Sequence, residues 1–294
     1  MSCNCGNAGV LKICGASVPF INASFSEHKE LFTSQSLGSG EEPKDRSHRN
    51  FSIAKTYVDG SFTMELFRTG SYNTAFLNLL KRIIGKEACN AFGAGCQISF
   101  SSNGGNGLIV PTSDGVGVIT QMSLTGSAGK ILTASFSILA TDFEGGDPGG
   151  SSTTFESPGN SDDGNSIPWY SSSVSITGSG DDHNINNALT EWSLSVSVPV
   201  TQVYTFNGKT SAKSLRLGMM TVKGSLTYFA SNGNYVFNLA DSSAIIDIGV
   251  ATLSLPYIVF DDLGLQNQGV NAIPVRTVGF QAFASGDNAS ISYS

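Results

Sequence analysis

The chain has 294 residues, with 34 glycines, 13% charged residues and a net charge of −7. Lys and Arg total 16 against 23 Asp and Glu, which argues against gripping nucleic acid through clustered phosphate contacts, though not against nucleic acid passing nearby unheld. Abundant Gly, Ser and Thr make poor helix material and good material for short strands and turns.

Residues 1–9 are small and polar and read as a flexible arm. They lack a basic region followed by an apolar run, so no secretory signal is expected. No apolar stretch approaches the ~18 residues that span a bilayer. Strand-like content follows over 10–25. Residues 36–50 show neither the helical nor the strand period, and carry Gly38, Gly40, Glu41, Glu42, Lys44, Asp45, Arg46 and Arg49 around Pro43. This is a long loop, and loops of that length are usually functional or disordered.

Strand returns over 51–67, where Phe62, Met64 and Leu66 alternate with Ser61, Thr63 and Glu65. One amphipathic helix is predicted over about 73–87, with Asn73 as its cap and Phe76, Leu79, Leu80 and Ile83 on one face. Strands are expected at 96–101, 116–124 and 130–141, the last two joined by a glycine-containing hairpin connection. Residues 144–166 lose all apolar periodicity and read as a linker or a large surface loop. Further short strands are expected around 192–198, 203–206, 219–230, 235–239, 245–255 and 275–283.

The elements repeat. Val58-Asp59-Gly60-Ser61-Phe62-Thr63 returns 164 positions later as Val222-Lys223-Gly224-Ser225-Leu226-Thr227. Ile13-Cys14-Gly15 is echoed by Ile176-Thr177-Gly178, and Thr133-Ala134-Ser135-Phe136 by Thr277-Val278-Gly279-Phe280 at an offset of 144. Three echoes in one order indicate one plan used twice, the second copy shorter by about 20 residues where the helix lies. Two domains are therefore expected, 1–150 and 151–294, each a mainly-β sandwich or half-barrel.

Candidate chemistry is sparse. The five cysteines read either as reduced thiols or as including a Cys89–Cys96 bridge across a glycine-containing loop; zinc spacing is poor. His28, His48 and His183 fall in no nucleophile or metal motif. The pairs Asp162-Asp163, Asp181-Asp182 and Asp261-Asp262 lack the alternating pattern of a calcium loop. No enzyme activity, cofactor or metal is expected. The competing readings are a β-rich surface module binding a receptor or glycan, and an enzyme on a β-sandwich.

The ordered, duplicated segments carry a resemblance. Pro168-Trp169-Tyr170, then 174–178, 192–196 and Leu217-Gly218-Met219-Met220, with 58–66, the helix and 132–143 in the first half, resemble the major tail tube protein of long-tailed bacteriophages in its duplicated form. That family implies β-sandwich domains arranged six to a ring, so that three duplicated chains make a pseudo-hexameric ring, and rings stack into a tube conducting DNA. It implies self-association, contact with other tail proteins at the tube ends, unspecific passage of DNA, and no membrane partner. It implies a virion protein made in the host cytoplasm. It also implies that the loop at 36–50 touches the neighbouring ring, with the 1–9 arm as a second contact.

Overall fold

A computed structural model describes residues 10–18, 20–34, 50–84, 91–92, 96–101, 107–111, 115–145, 166–177, 182–184, 188–205, 210–229, 242–266, 275–284 and 289–294. The first half contains β1 (Val10–Ile13), β2 (Ala16–Val18), β3 (Asn22–Ser34), β4 (Asn50–Glu65), α1 (Gly70–Ile84), β5 (Ala91–Phe92), β6 (Ile98–Ser101), β7 (Gly107–Val110), β8 (Gly117–Ser127), β9 (Thr133–Ala140) and β10 (Glu144–Gly145). After a short 3₁₀ turn at Trp169–Ser171 come β11 (Ser173–Thr177), β12 (Asp182–Asn184), β13 (Leu189–Ser197), β14 (Val200–Val203), β15 (Ser214–Leu217), β16 (Thr221–Phe229), β17 (Ser242–Asp247), β18 (Thr252–Gln266), β19 (Val275–Phe283) and β20 (Ser292–Tyr293). The protein is mainly β with one α-helix among the described residues.

The dominant sheet has the order β12-β11-β17-β18-β19-β16-β13-β8-β9-β4-β3. Its register shows why these strands hold together. Phe62, Phe136, Met122, Val196, Val222, Ala282 and Ile258 lie opposite one another across seven strands, and all seven are buried. Alternation puts every second residue of each strand on that face. Phe62 and Phe136 stack with ring centroids 5.3 Å apart, and Phe76 of α1 meets Phe136 edge-on at 6.4 Å. A smaller sheet, β10-β7-β6-β1-β2, brings Leu11, Ile13, Val18 and Ile98 into the same core. That core runs through both halves of the chain without a break.

The two halves follow one strand order, β3-β4-β9-β8 in the first and β13-β16-β19-β18 in the second. Equivalent pairs repeat across them. Ser24 faces Ser61 as Ser193 faces Ser225, and Thr63 faces Ser135 as Thr227 faces Thr277. The last pairing places Ser135, not Thr133, in the position of Thr277. The 133/277 sequence echo is thus two residues out, a slip that leaves every side chain on its proper face.

Other details also differ from expectation. The helix starts at Gly70, so Asn73 sits within its first turn and its Nδ2 donates to Arg68 O at 3.1 Å instead of capping an N–H. Glu144 and Gly145 pair with β7 instead of opening a linker. The strand expected at 203–206 lies earlier, as β14, and forms a separate hairpin with β15. The strand expected at 235–239, and the segment where the second copy is shortened, lie outside the described residues.

Candidate functional site: a hydroxyl-lined sheet face

The face opposite the core is built from the alternate residues of the same strands. Across six strands run Ser24, Ser61, Ser137, Gln121, Ser197 and Thr221. The next row is Thr63, Ser135, Ser123, Ser195, Lys223 and Gln281, and the third is Glu65, Thr133, Thr125, Ser193, Ser225 and Gly279. Small hydroxyls dominate all three. The polar residues that alternate in the sequence around the repeated Gly-Ser stretch, Ser61, Thr63, Glu65, Ser225 and Thr227, therefore share one face.

Neighbouring hydroxyls satisfy one another. Thr63 and Ser135 are 2.9 Å apart, Thr125 and Thr133 2.7 Å, Ser193 and Ser225 2.8 Å, and Thr227 and Thr277 3.1 Å. The Thr227–Thr277 contact is the second-half counterpart of Thr63–Ser135. Such cross-strand pairs stabilise a sheet by a few tenths of a kcal/mol each. They also engage the hydroxyls laterally, and within these three rows Lys223 is the one long flexible cation. Glu65 and Glu191 on the same face make it mildly acidic.

Toward the outer edge, His28 of β3 stacks on Tyr57 at 4.8 Å and contacts the Asp59 carboxylate. This is an exposed strand-pairing cluster. His48 and the side chain of His183 lie outside the described residues. Lys55 of β4 bridges to Glu30 at 2.9 Å and lies 5.3 Å from the ring centre of Tyr204. The Glu30 carboxylate holds the Lys55 ammonium above its ordinary value. On the core side, burial pushes the Tyr228 hydroxyl up, with Arg276 opposing.

The cysteines differ from the sequence expectation. Cys96 forms a disulfide with Cys14, 82 positions away, and not with Cys89, whose placement lies outside the described residues. Cys14 and Gly15 both take positive φ in the two-residue turn joining β1 to β2. That turn carries Cys14 to the strand beside it, since Ile13 pairs with Ile98 and Cys14 N–H donates to Gln97 O at 2.9 Å. A pairing set by strand register is invisible in cysteine spacing. The loop residues Gly38, Gly40, Glu41, Glu42, Lys44, Asp45, Arg46 and Arg49 lie outside the described residues.

Among the described residues no three His, Cys, Asp or Glu side chains gather around a common point suited to a metal ion. No helix there is long and apolar enough to cross a membrane. The described face is small-featured and lightly charged, which suits contact with another surface.

No curated protein matches the chain. A family model described as phage tail tube protein matches residues 10–290, nearly the whole length. With two like-ordered halves in one sheet that carries a polar face, the chain belongs to the phage tail tube protein family and is a structural component of the virion tail.

Proposed function

We propose that three copies of this chain form a pseudo-hexameric ring, that rings stack into a tube, and that the hydroxyl-lined face forms its lumen. The observation that carries the reading is the eight-strand run β3-β4-β9-β8-β13-β16-β19-β18, apolar on one face and hydroxyl-rich on the other. Its two halves, within the proposed domains 1–150 and 151–294, each supply four strands to the lumen wall. DNA passes along this wall without specific binding. Short neutral side chains present little to snag on, and Glu65 and Glu191 repel phosphate.

In this reading the 36–50 loop and the 1–9 arm connect successive rings, and other tail proteins cap the tube ends. The chain is made in the host cytoplasm and incorporated into the tail. Negative-stain microscopy of the purified chain tests the proposal. Rings or tubes with a central hole wide enough for duplex DNA are expected; a chain that stays monomeric at high concentration refutes it.

A further inference from the structure

Two corners of the fold follow one plan, and the first of them carries a covalent bond. In the first half Ile13 of β1 lies opposite Ile98 of β6, and Ile98 opposite Val110 of β7. In the second half Ile176 of β11 lies opposite Ala244 of β17, and Ala244 opposite Leu255 of β18. A proline follows in each, Pro111 and Pro256. By this register Cys14, one residue past Ile13, matches Thr177, and Cys96, two residues before Ile98, matches Ser242.

Burial matches as well. Cys96 and Ser242 are 5% and 3% exposed, while Cys14 is only partly buried and Thr177 is exposed. Thr177 and Ser242 form no covalent cross-link, yet the second half builds this corner with its strands in the same register. Strand pairing and apolar burial therefore suffice to form it. In the first half the same forces bring the two sulfurs together: Leu11, Ile13 and Ile98 lie in the core, and Cys14 N–H donates to Gln97 O at 2.9 Å. The two cysteines are neighbours because of register, with or without a bond between them.

We propose that Cys14 and Cys96 are an oxidation site that is closed after folding, outside the producing cell, by a low-molecular-mass disulfide such as oxidised glutathione. The inference rests on the proposed synthesis of the chain in the host cytoplasm, where thiols are kept reduced. The bridged pair is then the finished state of the tail subunit. Joining residues 82 apart restricts the unfolded chain, so the bond protects a fold that the strands have already made.

Exposure sets the order of the two steps. Cys14 sits in the turn between β1 and β2, beside the exposed Gly15, and a small oxidant reaches it first. Its thiolate attacks one sulfur of oxidised glutathione, forming a mixed disulfide and releasing one glutathione thiolate. The buried Cys96 then loses its proton and attacks the Cys14 sulfur, releasing the second glutathione. Two cysteine thiols are oxidised by two electrons, the oxidant is reduced to two thiols, and the two cysteine protons end on them.

The test uses the full-length chain with Cys3, Cys5 and Cys89 replaced by Ser, made in a reducing bacterial cytoplasm and purified under reductant. A sample blocked with a thiol reagent at lysis is expected to carry the label on both Cys14 and Cys96 after unfolding. The reduced chain is expected to show the far-UV spectrum of the oxidised one. Oxidised glutathione then makes it lighter by two hydrogens and raises its urea midpoint by about 1 M. Cys14→Thr with Cys96→Ser, which copies the second half, folds alike and gains nothing. Cys96→Ser alone takes up glutathione at Cys14 at least tenfold faster than Cys14→Ser alone does at Cys96. A chain already bridged at lysis, a reduced chain that fails to fold, or a midpoint unmoved by oxidation overturns the proposal. Equal uptake by the two single variants overturns the order of attack. A chain that folds reduced and bridges on oxidation but forms no rings in the microscope overturns the ring reading and leaves the oxidation site.

Discussion

Phe25 lies across Gly60, its partner on the neighbouring strand, so closely that a Cβ on Gly60 would overlap the aromatic ring. The second half repeats the device with different strands, since Phe280 of β19 lies across Gly224, its partner on β16. The glycine of the repeated Gly-Ser stretch is thus a seat for an aromatic ring in both copies. The two seats differ in how far they can yield. Phe25 is only partly buried on the edge strand, whereas Phe280 is buried and Gly224 also faces the backbone oxygen of Ser193. Gly224→Ala is expected to cost about 1–3 kcal/mol through overpacking, and Gly60→Ala less. Urea unfolding of the two variants checks the order; equal losses would show that backbone proximity does not matter.

The disulfide gives a second prediction. Joining residues 82 apart restricts the unfolded chain strongly, and its loss through Cys14→Ser or Cys96→Ser should lower stability by about 2–5 kcal/mol in oxidising buffer. The loss should vanish in reductant. Cys89→Ser should leave stability unchanged in both. A loss on Cys89→Ser matching that of Cys96→Ser would restore the pairing that the glycine-containing loop suggested.

Phe62 is fully buried at the head of the seven-strand apolar row, between Phe136 on β9 and Ala23 on β3. Phe62→Ala should cost about 3–5 kcal/mol. Ser61→Ala, one residue along and on the opposite face, should change stability by less than about 0.5 kcal/mol. Thermal unfolding of this adjacent pair reads the alternation directly.

Tyr228 has no solvent exposure, and burial raises its pKa in the folded state. A raised value means that folding favours the neutral phenol. The corresponding stability is fully present below the ordinary tyrosine value of about 10 and is lost as pH rises through the folded value. Tm measured from pH 8 to 11 should therefore fall at the alkaline end, and fall less steeply in Tyr228→Phe. The fall should persist in part, because burial raises Tyr204 in the same direction. Identical curves for parent and variant would remove Tyr228 as a cause.

If the hydroxyl face lines a conduit, adding cations to it should retard DNA. Ser135→Lys and Ser195→Lys sit in one row and place positive charge where neutral hydroxyls now lie. Phage carrying both are expected to assemble normally and to eject their genome more slowly, with the delay relieved at higher ionic strength. Ejection followed by dye binding at two salt concentrations measures this. Unchanged kinetics would place the face away from DNA.

The alternation at Phe62-Thr63-Met64-Glu65, the 3.6 spacing of Phe76, Leu79, Leu80 and Ile83, and the doubled Gly-Ser stretch all lie within short windows. From them the sequence by itself determined a mainly-β chain, one amphipathic helix, a two-faced sheet and an internal repeat. Those features are local, because period and composition act between near neighbours. The tertiary structure alone decided that β8 meets β13, that Cys96 meets Cys14, that Asn73 lies inside its helix, and that rings cover Gly60 and Gly224. Apart from Asn73, each of these pairings joins residues far apart along the chain, where the choice of partner depends on register and loop closure across the whole sheet. Asn73 is a nearer case: its place depended on where the chain leaving β4 begins to turn, which the apolar stripe of the helix does not mark.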